Sequence, residues 1–461
     1  MKTLFLTLSM MALTISILHA QHTPADDRIE TKYTPALGKE VFVPRELAKM
    51  DLSADTSQFS FARAAYTPDL VMFWEKPFGK DPSQAPDLNG KTMKIDVQQM
   101  LKRTQYFYDF FVDSLKWTLP GSKAERYRMM IMVRYNEDGT AYGGAYDNTI
   151  GALWVSPSRL QDTLLNVLAH ELGHSFQAQL GADGTQGLNQ GALWEMTSQW
   201  MLWQVNPDWV TSENYHWVEF MKQTSYAFCH RLNIYRSPYV LEYFSTKHGR
   251  EYIGKLWREA QQGEDIAAAY IRLSGITQQA FNAEMYDAAT RFITYDFPRV
   301  KKNMEPYANR HHCKMIDGDN GTYHIAPERA LGAYGYNGIR LETPAPGKKL
   351  SIQLQPDSLT KGATGGWNYG LVAVTPDGTP HYTSLTYVPA TGKQPKAISY
   401  KAPKEGLSYL WLVVSSAPET HTIDPNAEWH AHFTMKGTKP HEDMYTAPVS
   451  PIPAPETPRR R

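Results

Sequence analysis

The chain has 461 residues, 42% of them apolar and 12% aromatic, which excludes a low-complexity or disordered protein and is more than one ordinary hydrophobic core organises. Its 47 basic side chains balance 47 acidic ones, and outside Arg459 to Arg461 no single-sign run stands out, so the charge pattern argues against nucleic acid as a partner. Two cysteines, Cys229 and Cys313, exclude a disulfide scaffold; export would permit one bridge between them, and sequence leaves open whether it forms.

Residues 1–20 read as a secretory signal: Lys2, an apolar run from Leu4 to Leu18, then Leu18-His19-Ala20 ahead of Gln21. The mature protein is therefore expected to begin near Gln21, secreted or periplasmic. No later stretch reaches 18 apolar residues, so no membrane span is expected. Residues 21–60 mix Pro, Asp and Thr and predict an extended leader. A strand is expected over 69–74, ended by Pro77 and Gly79. Apolar residues at helical spacing, among them Val97, Met100, Leu101, Phe107 and Phe111, predict a long helix over 96–117. Strands follow over 127–133 and, once or twice, over 141–157, where Gly143, Gly144 and Gly151 allow bends or close backbone approach.

Residues 164–180 predict a helix with an apolar stripe of Leu164, Leu165, Leu168 and Leu172, ended by Gly181 and Gly184. It carries His170-Glu171-Leu172-Gly173-His174. Residues four apart lie on one helical face, so both imidazoles can reach one metal ion, and Glu171 can approach a metal-bound water without being a ligand. A helix over 192–203 follows, with Glu195 amid Trp, Met and Leu. Five more are predicted over 214–228, 238–247, 251–261, 265–273 and 277–295. Near residue 310 the composition turns to Gly, Pro and Asp between short β-rich runs at 339–341, 350–354, 369–374, 382–387, 410–414 and 429–435, the pattern of a β-sandwich. Residues 438–461, rich in proline, predict a disordered tail.

Catalytic zinc takes three protein ligands and a water, so two histidines need a third partner. The metzincin extension fails, because Gln177 and Leu180 stand where Gly and His are required. Asp183 sits in a loop with nothing evident to hold it. Glu195, 21 residues beyond His174 on an independent apolar helix, is a carboxylate that would be costly to bury unpaired, and zinc supplies the partner it lacks. The expected metal ligands for Zn2+ are therefore His170, His174 and Glu195.

These residues carry a resemblance. HELGH with Trp194-Glu195 downstream resembles the gluzincins, zinc peptidases with two His and one later Glu; the longer form through Gln177 is similar to enhancin-like, mucin-degrading peptidases and to secreted bacterial families with this signature. The resemblance implies an α+β zincin-like catalytic domain, a small mixed sheet plus helices, over residues 61–305, followed by the all-β sandwich over 310–437. It implies hydrolysis of peptide bonds in proteins or glycoproteins, with Glu171 as general base and a Tyr or His from the helical half steadying the oxyanion. Among His216, Tyr226, His230, Tyr235 and Tyr239, we prefer His230 and Tyr235, because the break at Arg236-Ser237-Pro238 can turn a side chain toward the cleft. The strand within 141–155 would bind an extended substrate by strand addition. One departure stands out: thermolysin-like members place Asp four residues after the ligand Glu, and here that position is Gln199. It motivates the alternative, a non-catalytic glycan- or polypeptide-binding protein on a zincin-like scaffold.

Other features have blander readings. His430 and His432, two apart on a strand, are read as incidental rather than metal-binding. His311-His312-Cys313 is read as linker or disulfide chemistry. Trp367, Tyr369 and Trp411 could stack on a glycan at the sandwich, but aromatics in β-runs more often fill a core.

Overall fold

The structure is a computed structural model, and it describes residues 38–445 except 186, 189, 190, 359 and 393. The signal segment, residues 21–37 of the leader and residues 446–461 of the tail lie outside the described residues.

The N-terminal half is built on a five-stranded sheet of β1 (Ala64–Tyr66), β2 (Leu70–Trp74), β3 (Met129–Val133), β4 (Ala141–Tyr146) and β5 (Ile150–Val155), in the order β1-β2-β3-β5-β4. Strands β2, β3 and β5 are parallel; β1 and β4 run antiparallel at the two edges. The parallel strands are buried along their whole length, which is why Leu70–Trp74 and Met129–Val133 are unbroken apolar runs rather than alternating ones. The connection from β2 to β3 carries α1 (Val97–Asp113), begun by Asp96 accepting from the Gln99 amide. Tyr108 and Phe111 of α1 pack on Phe176 of α2 (Asn166–Ala182), which also lies against β4 and β5.

Helices α3 (Gly191–Val205), α4 (Trp209–Ser212), α5 (Tyr215–Met221), α6 (Tyr239–His248), α7 (Glu251–Glu259), α8 (Ile266–Ser274), α9 (Gln278–Thr294) and α10 (Lys301–Met304) complete the helical region. The expected helix over 214–228 stops early. The carbonyls of Thr224 and Ser225 accept from the amides of Tyr336 and Gly332 at 2.8 Å each, so that stretch of backbone is committed to the β-rich region.

That region is two five-stranded antiparallel sheets. It contains β6 (Met315–Asp317), β7 (Thr322–Ile325), β8 (Tyr336–Leu341), β9 (Lys349–Pro356), β10 (Gly366–Val374), β11 (Pro380–Tyr382), β12 (Thr386–Pro389), β13 (Ile398–Lys401), β14 (Tyr409–Ala417) and β15 (Ala431–Lys436). One sheet has the order β11-β10-β14-β8, with β12 also on β10; the other is β13-β9-β15-β7-β6. Helix α9 lies against β8, β10 and β14, so β10 is buried at every position. Trp367, Tyr369 and Trp411 are core residues, at most 1% exposed, which removes them as a sugar-stacking platform. The two halves are joined through buried Arg329, which donates to the Lys222 carbonyl, Thr224 Oγ1 and Asn337 Oδ1. Cys229 and Cys313 are both free thiols; burial raises Cys229 to about 12 and Cys313 to about 11, so neither is a thiolate at neutral pH. Among the described residues no helix is long and apolar enough to cross a membrane.

Candidate metal centre

The site is made where α2 is squeezed between the edge strand β4 and α3. Two glycines permit this. A Cβ on Gly143 of β4 would overlap the Glu171 carbonyl and stand 2.6 Å from the His174 Cβ, and one on Gly173 of α2 would stand 2.5 Å from Ser198 Oγ on α3. Ser198 Oγ donates to the His170 carbonyl at the same contact, fixing α3 against the motif helix. Asp162 accepts from the amides of Leu164 and Asn166 and so begins the motif helix.

The packing brings three of the expected residues together. His170 Nε2 lies 3.1 Å and His174 Nε2 3.0 Å from Glu195 Oε2, and the two ring nitrogens are 3.1 Å apart. Tetrahedral ligands each about 2.0–2.1 Å from an ion are spaced by a little over 3 Å, so the trio has the dimensions of a metal site. The protons on the rings are also accounted for. Gln177 donates from Nε2 to the Trp194 carbonyl at 2.8 Å, which turns its oxygen toward His174 Nδ1 at 2.7 Å, so that nitrogen carries the proton. His170 Nδ1 meets Gln199 Oε1 at 3.1 Å in the same sense. Each neutral imidazole then presents an Nε2 lone pair to the other and to a carboxylate. Three acceptors facing one another need a cation between them, either a proton or a metal ion.

The electrostatics agree. Burial opposes charging of Glu195 and of His170. The hydrogen bonds and charges of the two histidines nevertheless hold Glu195 down to about 2. The Glu195 hydrogen bond and the charges of Glu171, Glu195 and Glu213 raise His170 above the ordinary imidazole value. The site is thus built to hold positive charge.

The remaining expected residues divide. Glu171, 6% exposed, follows His170 on α2. Tyr235 lies beside the trio: its ring centroid is 6.0 Å from that of His170. Burial, and after it the charge of Glu195, pushes Tyr235 up to about 12, so it stays a hydrogen-bond donor at physiological pH. His230 Nδ1 accepts from the Leu232 amide to begin a short 3-10 turn, and its ring stacks on Tyr226. Tyr239 is fully buried. Asp183 is held by Ser122 Oγ and the Lys123 amide, which occupies its carboxylate away from the trio.

Two features escape sequence reasoning. Gln177 orients His174, and its only local signal is its place three residues further along the helix. Behind Gln199, Nε2 lies 3.2 Å from His216 Nε2, which is 3.4 Å from Glu213. Burial disfavours the Glu213 carboxylate, but the neighbouring His216 and hydrogen bonds donated by Trp209 and Asn166 hold it below the usual carboxylate range. A carboxylate therefore does stand behind His170, at two removes, and it comes from a different turn of chain than the one expected.

The model of a family of unknown function, DUF6055, matches residues 33–442, and the chain belongs to that family. No curated protein and no solved structure matches the chain.

Proposed function

We propose that this chain is a secreted or periplasmic zinc-dependent peptidase of gluzincin type, hydrolysing peptide bonds in proteins or glycoproteins. The observation that carries the reading is the convergence of two Nε2 lone pairs and one carboxylate oxygen within 3.1 Å, with both Nδ1 atoms held by amide oxygens. On this reading His170, His174 and Glu195 hold Zn2+, and the domain around the first sheet is a zincin-like catalytic domain. A zinc ion bound there supplies Lewis acidity, acidifying a water and polarising a carbonyl.

The chain's own groups do the rest. Glu171 takes the proton from the attacking water and returns it to the leaving amine. The Tyr235 hydroxyl donates to the oxygen on which charge develops. Strand β4 pairs only with β5 among the described residues, so its outer edge is open beside α2 and can align an extended polypeptide by strand addition. Gln177 and Gln199 hold both ring orientations, and Glu213 lends Gln199 and His216 a negative charge.

The test is hydrolysis of a panel of unfolded proteins and mucin-type glycoproteins by the purified mature chain. Turnover should vanish on chelation and return with added Zn2+. Zinc-loaded protein that is inert across the panel would overturn the enzyme reading in favour of a binding protein on the same scaffold.

A further inference from the structure

A second group of metal-ligating side chains lies in the β-rich region, far along the chain from the first and independent of it. Strand β15 runs between β7 and β9, and its register sets His432 opposite His324 on one side and Gln355 on the other. Side chains alternate along a strand, so Asp357, two residues past Gln355, shares that face. The ladder continues there: the Asp357 amide donates to the His430 carbonyl at 2.9 Å, which fixes where the carboxylate stands. The intervening residues Phe433 and Leu354 are fully buried in the core, so the three polar residues occupy the outward face of the sheet.

The geometry is that of a ligand set. His324 Nδ1 is 3.5 Å and His432 Nδ1 3.9 Å from Asp357 Oδ2, and one ligand atom from each residue lies within 4.8 Å of the other two. The two rings are 5.0 Å apart and tilted by 31°, too open for a stacked pair. His432 Nδ1 is shielded from water and has no hydrogen-bond partner among the described residues, though the rest of its side chain is partly exposed. A buried ring nitrogen aimed at a carboxylate it does not reach is short of a bridging atom. His430, two residues earlier, turns instead to Glu428 at 2.9 Å and takes no part.

We propose that His324, Asp357 and His432 form a second metal site, for a divalent transition ion of the zinc, nickel or copper class rather than calcium or magnesium. Two imidazoles and one carboxylate select such ions. Its ligands come from three neighbouring strand segments of one sheet, so the ion clips β7, β15 and the end of β9 together. It stabilises the native state because that register is absent from the unfolded chain.

The experiment uses the mature chain with the first site removed by His170→Ala and Glu195→Ala, stripped of metal and titrated with Zn2+ while bound metal is counted. One equivalent should bind and raise the melting temperature. Adding either His432→Ala or, on the more exposed side, His324→Ala should abolish both the equivalent and the shift, with circular dichroism unchanged. A parent variant that binds no zinc, or an equivalent that survives both histidine substitutions, would overturn the proposal.

Discussion

Replacing Glu171 with Gln should lower peptide hydrolysis by about 10²–10⁴-fold, the range that a positioned general base contributes. The zinc content of the first site should not change, because Glu171 is not among the three residues whose ligand atoms converge. The amide keeps the size of the side chain, which is 6% exposed, so the thermal transition should stay near that of the native protein. The loss should fall on kcat, since the proton transfer belongs to the transition state rather than to substrate binding. Steady-state kinetics alongside metal counting decides the matter. A variant that keeps more than about a tenth of the native rate would place the base elsewhere.

Removing the guanidinium of Arg299 is the second large effect, this time on stability. Glu242 is 2% exposed and accepts from Arg299 Nε and Nη2 at 2.8 Å, Gln204 Nε2 at 2.9 Å and Trp200 Nε1 at 3.2 Å. Arg299 also donates to the Trp203 carbonyl and lies over the Trp203 ring. Arg299→Ala leaves a buried carboxylate with only neutral donors, and breaking such a pair from one side costs about 3–5 kcal/mol. Replacing both partners with methionine should recover only part of that loss, because the stranded charge is gone while the Trp200 and Gln204 donors lose their acceptor. Urea unfolding of the single and double variants measures it. A single-variant loss below about 1 kcal/mol would show that water reaches Glu242 readily. Helix α3 carries Trp200, Gln204 and Glu195, so the same substitution should also weaken metal binding at the first site.

The two predictions meet in α3, a helix whose sequence was unusually informative. An amphipathic helix tells a reader which face is buried, but this one carries Trp, Met and Leu on every side and a single charged residue, so its one carboxylate calls for a partner. The motif helix was legible from the four-residue spacing of His170 and His174, and the parallel strands from their unbroken apolar runs. The break at Arg236-Ser237-Pro238 points to Tyr235 and His230 alike; the Tyr235 ring stands 6.0 Å from that of His170, and His230 Nδ1 accepts from the Leu232 amide. Local breaks tell where the chain turns and not which side chain the turn delivers.

What sequence could not show is non-local. The short strands β6, β7 and β13 have three or four residues each and too little alternation to be read. In the sequence His432 stands two residues from His430, a spacing that by itself is incidental more often than metal-binding. The actual neighbours, His324 and Asp357, are set by strand register across more than seventy residues of chain. The chain of contacts from Gln199 through His216 to Glu213 joins α3 to the turn ahead of α5, and no spacing rule links those positions. The expected helix over 214–228 failed for a related reason: the carbonyls of Thr224 and Ser225 are taken by residues more than a hundred positions later.

Anomalous scattering at the zinc edge from crystals of the mature protein tests the central claim most directly. A peak is predicted about 2.0–2.1 Å from the Nε2 atoms of His170 and His174 and about 2.0–2.2 Å from a Glu195 carboxylate oxygen. Zinc-supplied crystals with these three side chains ordered and no anomalous density between them would contradict it.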